Sequence, residues 1–171
     1  MQIRPELPED IVSIHEVETA AFQREAEADL VDQIRAHGRS LLSWVAVHPE
    51  TGQIVGHVLF SPASIRSGSS EIPAVGMGPV AVLPEFQNQG IGSHLIRKGL
   101  DELRQAGHAI VVVAGNPAYY QRFGFQDATP RGLICQFEMP PGCFMAIELH
   151  PGALSGVSGT VYYTPEFEMV E

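Results

Sequence analysis

Gly90 and Gly92, in the run VAVLPEFQNQGIGSHL from Val80 to Leu95, let the backbone come close to a ligand where a helix pattern begins. A helix start exposes N–H groups that have no partner within the helix, and it carries the positive end of the helix dipole, so this stretch suits an anion. Amides alone can hold a diphosphate at such a site, without Lys or Arg. Two nucleotide signatures do not fit. No Gly-Lys-Ser or Gly-Lys-Thr follows the loop, and the third glycine of a dinucleotide fingerprint is replaced by Leu95. The stretch from Val82 to Gly90 is also longer than the tight strand-to-helix turn of a dinucleotide site. Taken alone, a Gly-x-Gly more often marks a helix packed closely on its neighbour.

The elements around this loop are legible in the hydrophobic pattern. Ile91, Leu95, Ile96, Leu100 and Leu103 make one helical stripe, closed by Gly107. A strand over 76–83 precedes it, and a strand over 109–114, apolar at every position, follows it, which predicts a parallel βαβ unit. Upstream, 1–4 reads as an edge strand. Pro8-Glu9-Asp10 opens an amphipathic helix on Ile11, Ile14, Val17 and Ala21, the polar linker 23–25 follows, and 26–37 forms a second helix stopped by Gly38. The runs 41–47 and 53–60 pair as a hairpin about a turn at 48–52, and 64–71 reads as a Ser/Gly loop. Downstream come a short helix at 118–122 and a second hairpin, 133–138 with 143–149, about Met139-Pro-Pro-Gly142. The expected fold is α/β (α+β): a mixed sheet flanked by helices in a single domain over 1–149, with 150–171 packed on it as a C-terminal extension.

Composition narrows the function. The chain has 171 residues, 44% hydrophobic and 18% charged, as in a globular protein of one domain. Twenty acidic against ten basic side chains give a formal charge of −10, which offers no broad cationic surface for nucleic acid. No apolar run approaches membrane-spanning length, and the N-terminus lacks the layout of a signal peptide, so the cytoplasm is the expected compartment. Cys135 and Cys143 are read as free thiols, and neither they nor the scattered histidines call for a metal.

The loop Gln87-Asn-Gln-Gly-Ile-Gly92, its strand, and the later run Asn116-Pro-Ala-Tyr-Tyr-Gln-Arg-Phe-Gly-Phe125 together resemble the GNAT superfamily of N-acetyltransferases. The shared features are a (Q/R)xxGx(G/A) signature and a downstream Asn…Tyr…Gly-Phe element, and the order of elements matches over 1–149. The resemblance implies a partly splayed sheet and acetyl-CoA as cosubstrate. It places the coenzyme diphosphate on the amides of Gln87, Asn88, Gln89, Gly90, Ile91, Gly92 and Ser93. The backbone of Val80, Ala81 and Val82 would pair with the pantetheine arm, an arrangement akin to strand addition. Pro79, which has no N–H for a ladder, suits a place where strands part. Asn116 would fix the pantetheine or its own loop.

Tyr120 matches the family tyrosine near the coenzyme sulfur, where a phenol donates a hydrogen bond or a proton to the departing thiolate. The acceptor amine must lose a proton, and here the chain departs from the family. Many members have a Glu on the strand that in this chain reads Gly76-Met-Gly-Pro79. Glu25, Glu27 and His57 are the remaining candidates for the base. The expected activity is direct acetyl transfer to a primary amine, on a small molecule or a peptide, in a ternary complex. A non-catalytic acyl-CoA-binding regulatory module is the alternative, and a nucleotide-dependent oxidoreductase a more distant one. Residues 150–171 are available to cover the acceptor cleft or to make a homodimer contact.

Overall fold

The computed structural model of the protein describes residues 1–170 and contains an open mixed sheet with helices against it. The chain forms two compact units. Residues 1–61, 78–99 and 164–170 belong to the first, and residues 62–77 and 100–163 to the second.

In the first unit, strand β1 (Gln2–Pro5) pairs antiparallel with β2 (Leu42–Val47), which pairs antiparallel with the start of β3 (Ile54–Ser67). A 3-10 turn at Pro8–Asp10 leads into α1 (Ile11–Phe22), and α2 (Ala26–Ala36) follows after the expected three-residue linker. Gln23 in the linker adopts a left-handed conformation with φ 58°. The amides of Gly38 and Arg39 fold back onto Arg35 and Ile34, so Gly38 at φ 72° stops α2 as its position predicts. Every residue of β3 from Ile54 to Ser61 is buried, and its two faces meet different helices. Gly56 lies against Ile91 and Leu95 of α3 (Ile91–Gln105), whereas His57 bonds to Glu18 of α1. Alternation along the strand therefore puts α1 and α3 on opposite faces. Fully buried side chains such as Phe60, Leu95 and Ile96 each contribute roughly 1.5–3 kcal/mol by leaving water.

The second unit holds the far part of β3, the first part of β4 (Ser70–Val82), β5 (Ile110–Ala114) and β8 (Phe144–Glu148). β4 and β5 are parallel, as the βαβ pattern predicts, but share only the pairs Val75 with Val111 and Gly76 with Val112. The ladder ends there, three residues before Pro79. On its other edge β5 pairs antiparallel with β8 over five positions. Ile110, Val112, Leu133, Phe144, Ala146 and Val161 are central to the core of this unit.

Two local expectations are corrected. Residues 64–71 are not a loop: β3 and β4 run into the segment, and only Gly68, at φ 59°, and Ser69 lie between them. The polar stretch is held as strand because Ser64, Ile65 and Arg66 pair with β9 (Gly159–Tyr162), a tertiary partner that outweighs local composition. The hairpin of 133–138 with 143–149 does not form. β7 (Leu133–Cys135) pairs parallel with β9, while β8 lies between β5 and β6 (Gln126–Asp127). Pro140 and Pro141 have no N–H for a ladder, and the apolar start of β8 is buried between two partners instead. Among the described residues no helix is long and apolar enough to cross a membrane, and both cysteines are free.

Candidate functional site

The glycine loop is assembled in the first unit between β4 and α3. Val80 and Val82 are half-buried and Ala81 is buried. Leu83 then donates to the Val55 carbonyl at 2.9 Å and packs inward, and a 3-10 turn at Pro84–Phe86 follows. Gln87 closes the loop with its side chain, its Nε2 donating to the Val82 carbonyl at 3.0 Å. Asn88 at φ 63° and Gly90 at φ 83° both take the left-handed conformation, open to Gly and tolerated by Asn. A left-handed residue such as Gly90 beside a right-handed one such as Ile91, the first residue of α3, turns successive amides toward one side and creates an anion concavity.

Past Gln87, whose amide donates to the Pro84 carbonyl at 3.3 Å, the amides of this loop find no acceptor among the described residues. Among the described residues, none of the amides of Asn88, Gln89, Gly90, Ile91, Gly92 and Ser93 donates to a backbone or side-chain acceptor. The first one engaged is His94, which donates to Gly90 at 3.0 Å. Residues 87–90 are exposed, and a Cβ placed on Gly90 would meet nothing within 4 Å. The loop is nevertheless held firmly, because Ile91 and Leu95 seat the helix start on Gly56 of β3, where a Cβ would come within 3.0 Å of Leu95 Cδ1. A rigid row of free donors at a helix mouth fits a diphosphate.

In the second unit, Asn116 caps α4 (Pro117–Tyr120), its Oδ1 accepting from Ala118 N at 3.0 Å. The Tyr120 ring is set edge-on to Tyr119 at 5.0 Å and to Phe125 at 6.1 Å. Burial, with Tyr119 beside it, pushes the Tyr120 phenol up to about 12.

The three candidate bases lie in the first unit in different settings. Glu25 sits in the linker with 71% of its side chain exposed, 3.7 Å from His15 Nε2. Glu27 is buried and ion-paired with Arg24, whose Nε donates at 2.8 Å. His57 is wholly enclosed, with Nδ1 2.8 Å from Glu18 Oε2 and Nε2 2.8 Å from Ser43 Oγ. Counting protons fixes much of this arrangement. Arg35 grips Glu6 through two bonds, of 2.8 and 2.7 Å, and Ser43 donates to Glu6 at 2.6 Å, so Ser43 accepts from His57 Nε2–H. Nδ1 and Glu18 then share one proton. Burial foremost, with Glu27 adding, raises the Glu18 carboxyl, against the pull of His57. Glu18 Oε1 and Thr19 Oγ1 are buried without a hydrogen-bond partner among the described residues. Sequence reasoning missed Glu18, although a carboxylate inside the apolar stripe of α1 was the available signal. His15, Asp29 and Asp32 bring ligand atoms within 4.8 Å of one another, but Asp32 is already bonded to His15 and Arg35.

The family model described as an acetyltransferase (GNAT) domain matches residues 2–128. The uncharacterised N-acetyltransferase YhbS of Escherichia coli (strain K12) is 38% identical over 167 residues, covering 98% of each chain. YjhQ of the same strain, also an uncharacterised N-acetyltransferase, is 36% identical over 156 residues, covering 86% of this chain and 84% of its own. The crystal structure of the Escherichia coli GNAT family N-acetyltransferase YhbS in complex with CoA superposes with a TM-score of 0.92, covering 98% of this chain and 91% of that one at 38% identity. A GNAT family acetyltransferase from Brucella melitensis in complex with acetyl-CoA gives 0.79, covering 97% of each chain at 37% identity.

Proposed function

This chain belongs to the GNAT family of acetyltransferases, and from that membership we propose that it moves an acetyl group from acetyl-CoA to a primary amine by direct transfer in a ternary complex. The observation that carries this reading is the row of six amides, Asn88 to Ser93, with no acceptor among the described residues. When bound, acetyl-CoA supplies the acyl group activated as a thioester. Asn88 to Ser93 hold its diphosphate, with Gln87 keeping the loop closed. The backbone of Val80, Ala81 and Val82, past the end of the β4–β5 ladder, pairs with the pantetheine arm. Asn116 supports the element that carries Tyr120.

Tyr120 is the acid on the departing sulfur. A phenol near 12 is far weaker as an acid than a thiol of about 8.5, so Tyr120 stays protonated and acts chiefly by donating a hydrogen bond to the thiolate. Of the three candidate bases, Glu25 presents its carboxylate to solvent, whereas Glu27 and His57 are committed to Arg24 and to Glu18 with Ser43. We therefore assign the acceptor proton to Glu25 ahead of the other two. The formal charge of −10 favours a cationic acceptor.

The test is a thermal-shift titration with CoA, acetyl-CoA and longer acyl-CoAs, followed by thiol release from acetyl-CoA across a panel of amines. Stabilisation that grows with ligand concentration is expected, together with thiol release that depends on an amine. Stabilisation without turnover on any amine would point to a binding module, and no stabilisation would overturn the assignment of the loop.

A further inference from the structure

Gly115, the residue between β5 and Asn116, lies against the Cε2 edge of the Tyr120 ring. A Cβ placed there would stand 2.6 Å from Tyr120 Cε2, 3.3 Å from Cδ2 and 3.6 Å from Cζ. The first distance is closer than any two such carbons approach. Backbone conformation does not explain the glycine, since Gly115 is not among the residues with positive φ. Its amide is bonded normally, donating to the Cys143 carbonyl at 2.9 Å, and this ties the end of β5 to the start of β8. The missing side chain is thus accounted for by one neighbour, the phenol ring. That ring is braced on other sides by Tyr119, Phe123 and Phe125, at centroid distances of 5.0, 6.5 and 6.1 Å.

We propose that Gly115 is a positioning residue for the transfer reaction, whose lack of a side chain sets where the Tyr120 hydroxyl stands. This rests on the reading of Tyr120 as the acid. A side chain at 115 must displace the ring, because its Cβ would stand 2.6 Å from Cε2. A turn of the ring about the Cβ–Cγ bond would leave the hydroxyl in place, since the oxygen lies on that axis, but the edge-on packing of Tyr119 and Phe125 opposes it; a swing about χ1 carries the hydroxyl at least as far as the ring atoms nearest the obstruction. Hydrogen-bond donation to a developing charge is steep in distance, and misplacement by about 1 Å can cost on the order of 100-fold in rate.

The experiment is a double-mutant cycle of Gly115→Ala and Tyr120→Phe on the full chain, with kcat and the KM for acetyl-CoA measured for each variant and each melting temperature recorded. Phenylalanine keeps the obstructing ring carbons and loses only the hydroxyl, so the two roles separate. A packing cost should lower the melting temperature equally in both backgrounds. A positioning role should lower kcat by about tenfold or more where Tyr120 is retained, with KM for acetyl-CoA little changed, and by less than about twofold in the Tyr120→Phe background. A second readout uses protein labelled with 13C at tyrosine Cζ and no ligand. Gly115→Ala should move the resonance that Tyr120→Phe abolishes and leave that of Tyr162 in place.

Three results would overturn the proposal: kcat unaffected by Gly115→Ala while Tyr120→Phe lowers it, an equal loss of kcat in both backgrounds, or an unmoved Tyr120 resonance. If Tyr120→Phe itself leaves kcat unchanged, the reading of Tyr120 as the acid fails first, and the proposal falls with it.

Discussion

Burial is what equips the Tyr120 hydroxyl for its assigned task. With its phenol raised to about 12, it stays protonated over the working range of pH, so an alkaline loss of kcat centred near 10 is not expected from it. The measurement is kcat against pH with both substrates saturating; a limb near 10 that disappears in Tyr120→Phe would contradict the burial argument. The same shift has a consequence for stability. The folded-state pKa lies above the unfolded value of about 10, so its contribution is complete below pH 10 and is lost as pH rises toward 12. Gly90 offers a second test at this scale. Its φ of 83° disfavours a β-branched residue by about 1–2 kcal/mol, so Gly90→Val should weaken CoA binding about tenfold by calorimetry. Unchanged affinity would place the diphosphate elsewhere.

Among the elements, α3 is locked to β3 by an absence. Gly99 sits mid-helix, where Ala is ordinarily the better residue by about 1 kcal/mol, yet a Cβ there would collide with the Phe60 ring. Gly99→Ala should therefore destabilise by about 1–3 kcal/mol in urea unfolding, and pairing it with Phe60→Leu should recover part of the loss. A stabilised Gly99→Ala variant would mean that the helix slides freely on the strand. Between α1 and β3 the tie is polar. Glu18→Ala leaves His57 Nδ1 buried without a partner and should cost about 3 kcal/mol or more, whereas Glu18→Gln keeps a donor facing that nitrogen and should cost clearly less. Equal losses would contradict the single shared proton.

These contacts also mark the limit of what the sequence reveals. α3, β5 and the glycine loop were legible because apolar period and helix-start chemistry are local properties. The partners of β7, β8 and β9 were not, because Thr160 to Tyr162 find their strand partner nearly a hundred residues upstream at Ser64 to Arg66. The same holds within the site. Asn88 and Gly90 could be read from the loop itself, while Gly115 and Glu18 acquire meaning only from the ring and the imidazole that folding brings against them.

For the molecule as a whole, acid is the direction in which stability should fail. Asp10 is held below the usual carboxylate range by Arg4, against some loss from burial. Burial raises Glu6 and Glu166, but bonds from Arg35 and Ser43 in one case and from His37 in the other bring both down overall. Their contribution is present above the unfolded values near 4 and is lost as pH falls through the depressed folded values. Arg35→Ala should accordingly flatten the acid limb of a plot of urea midpoint against pH; an unaltered limb would show that Glu6 takes no part in it.

The uncharged donors of the glycine loop have a kinetic corollary. A carrier of ten net negative charges repels an anionic coenzyme at long range, yet grips it at contact through dipoles. Raising ionic strength shortens the Debye length to about 8 Å at physiological salt and hides that repulsion, while neutral N–H groups lose little. Added salt should therefore hasten association of the coenzyme, opposite to the slowing seen where lysine and arginine guide an anion in.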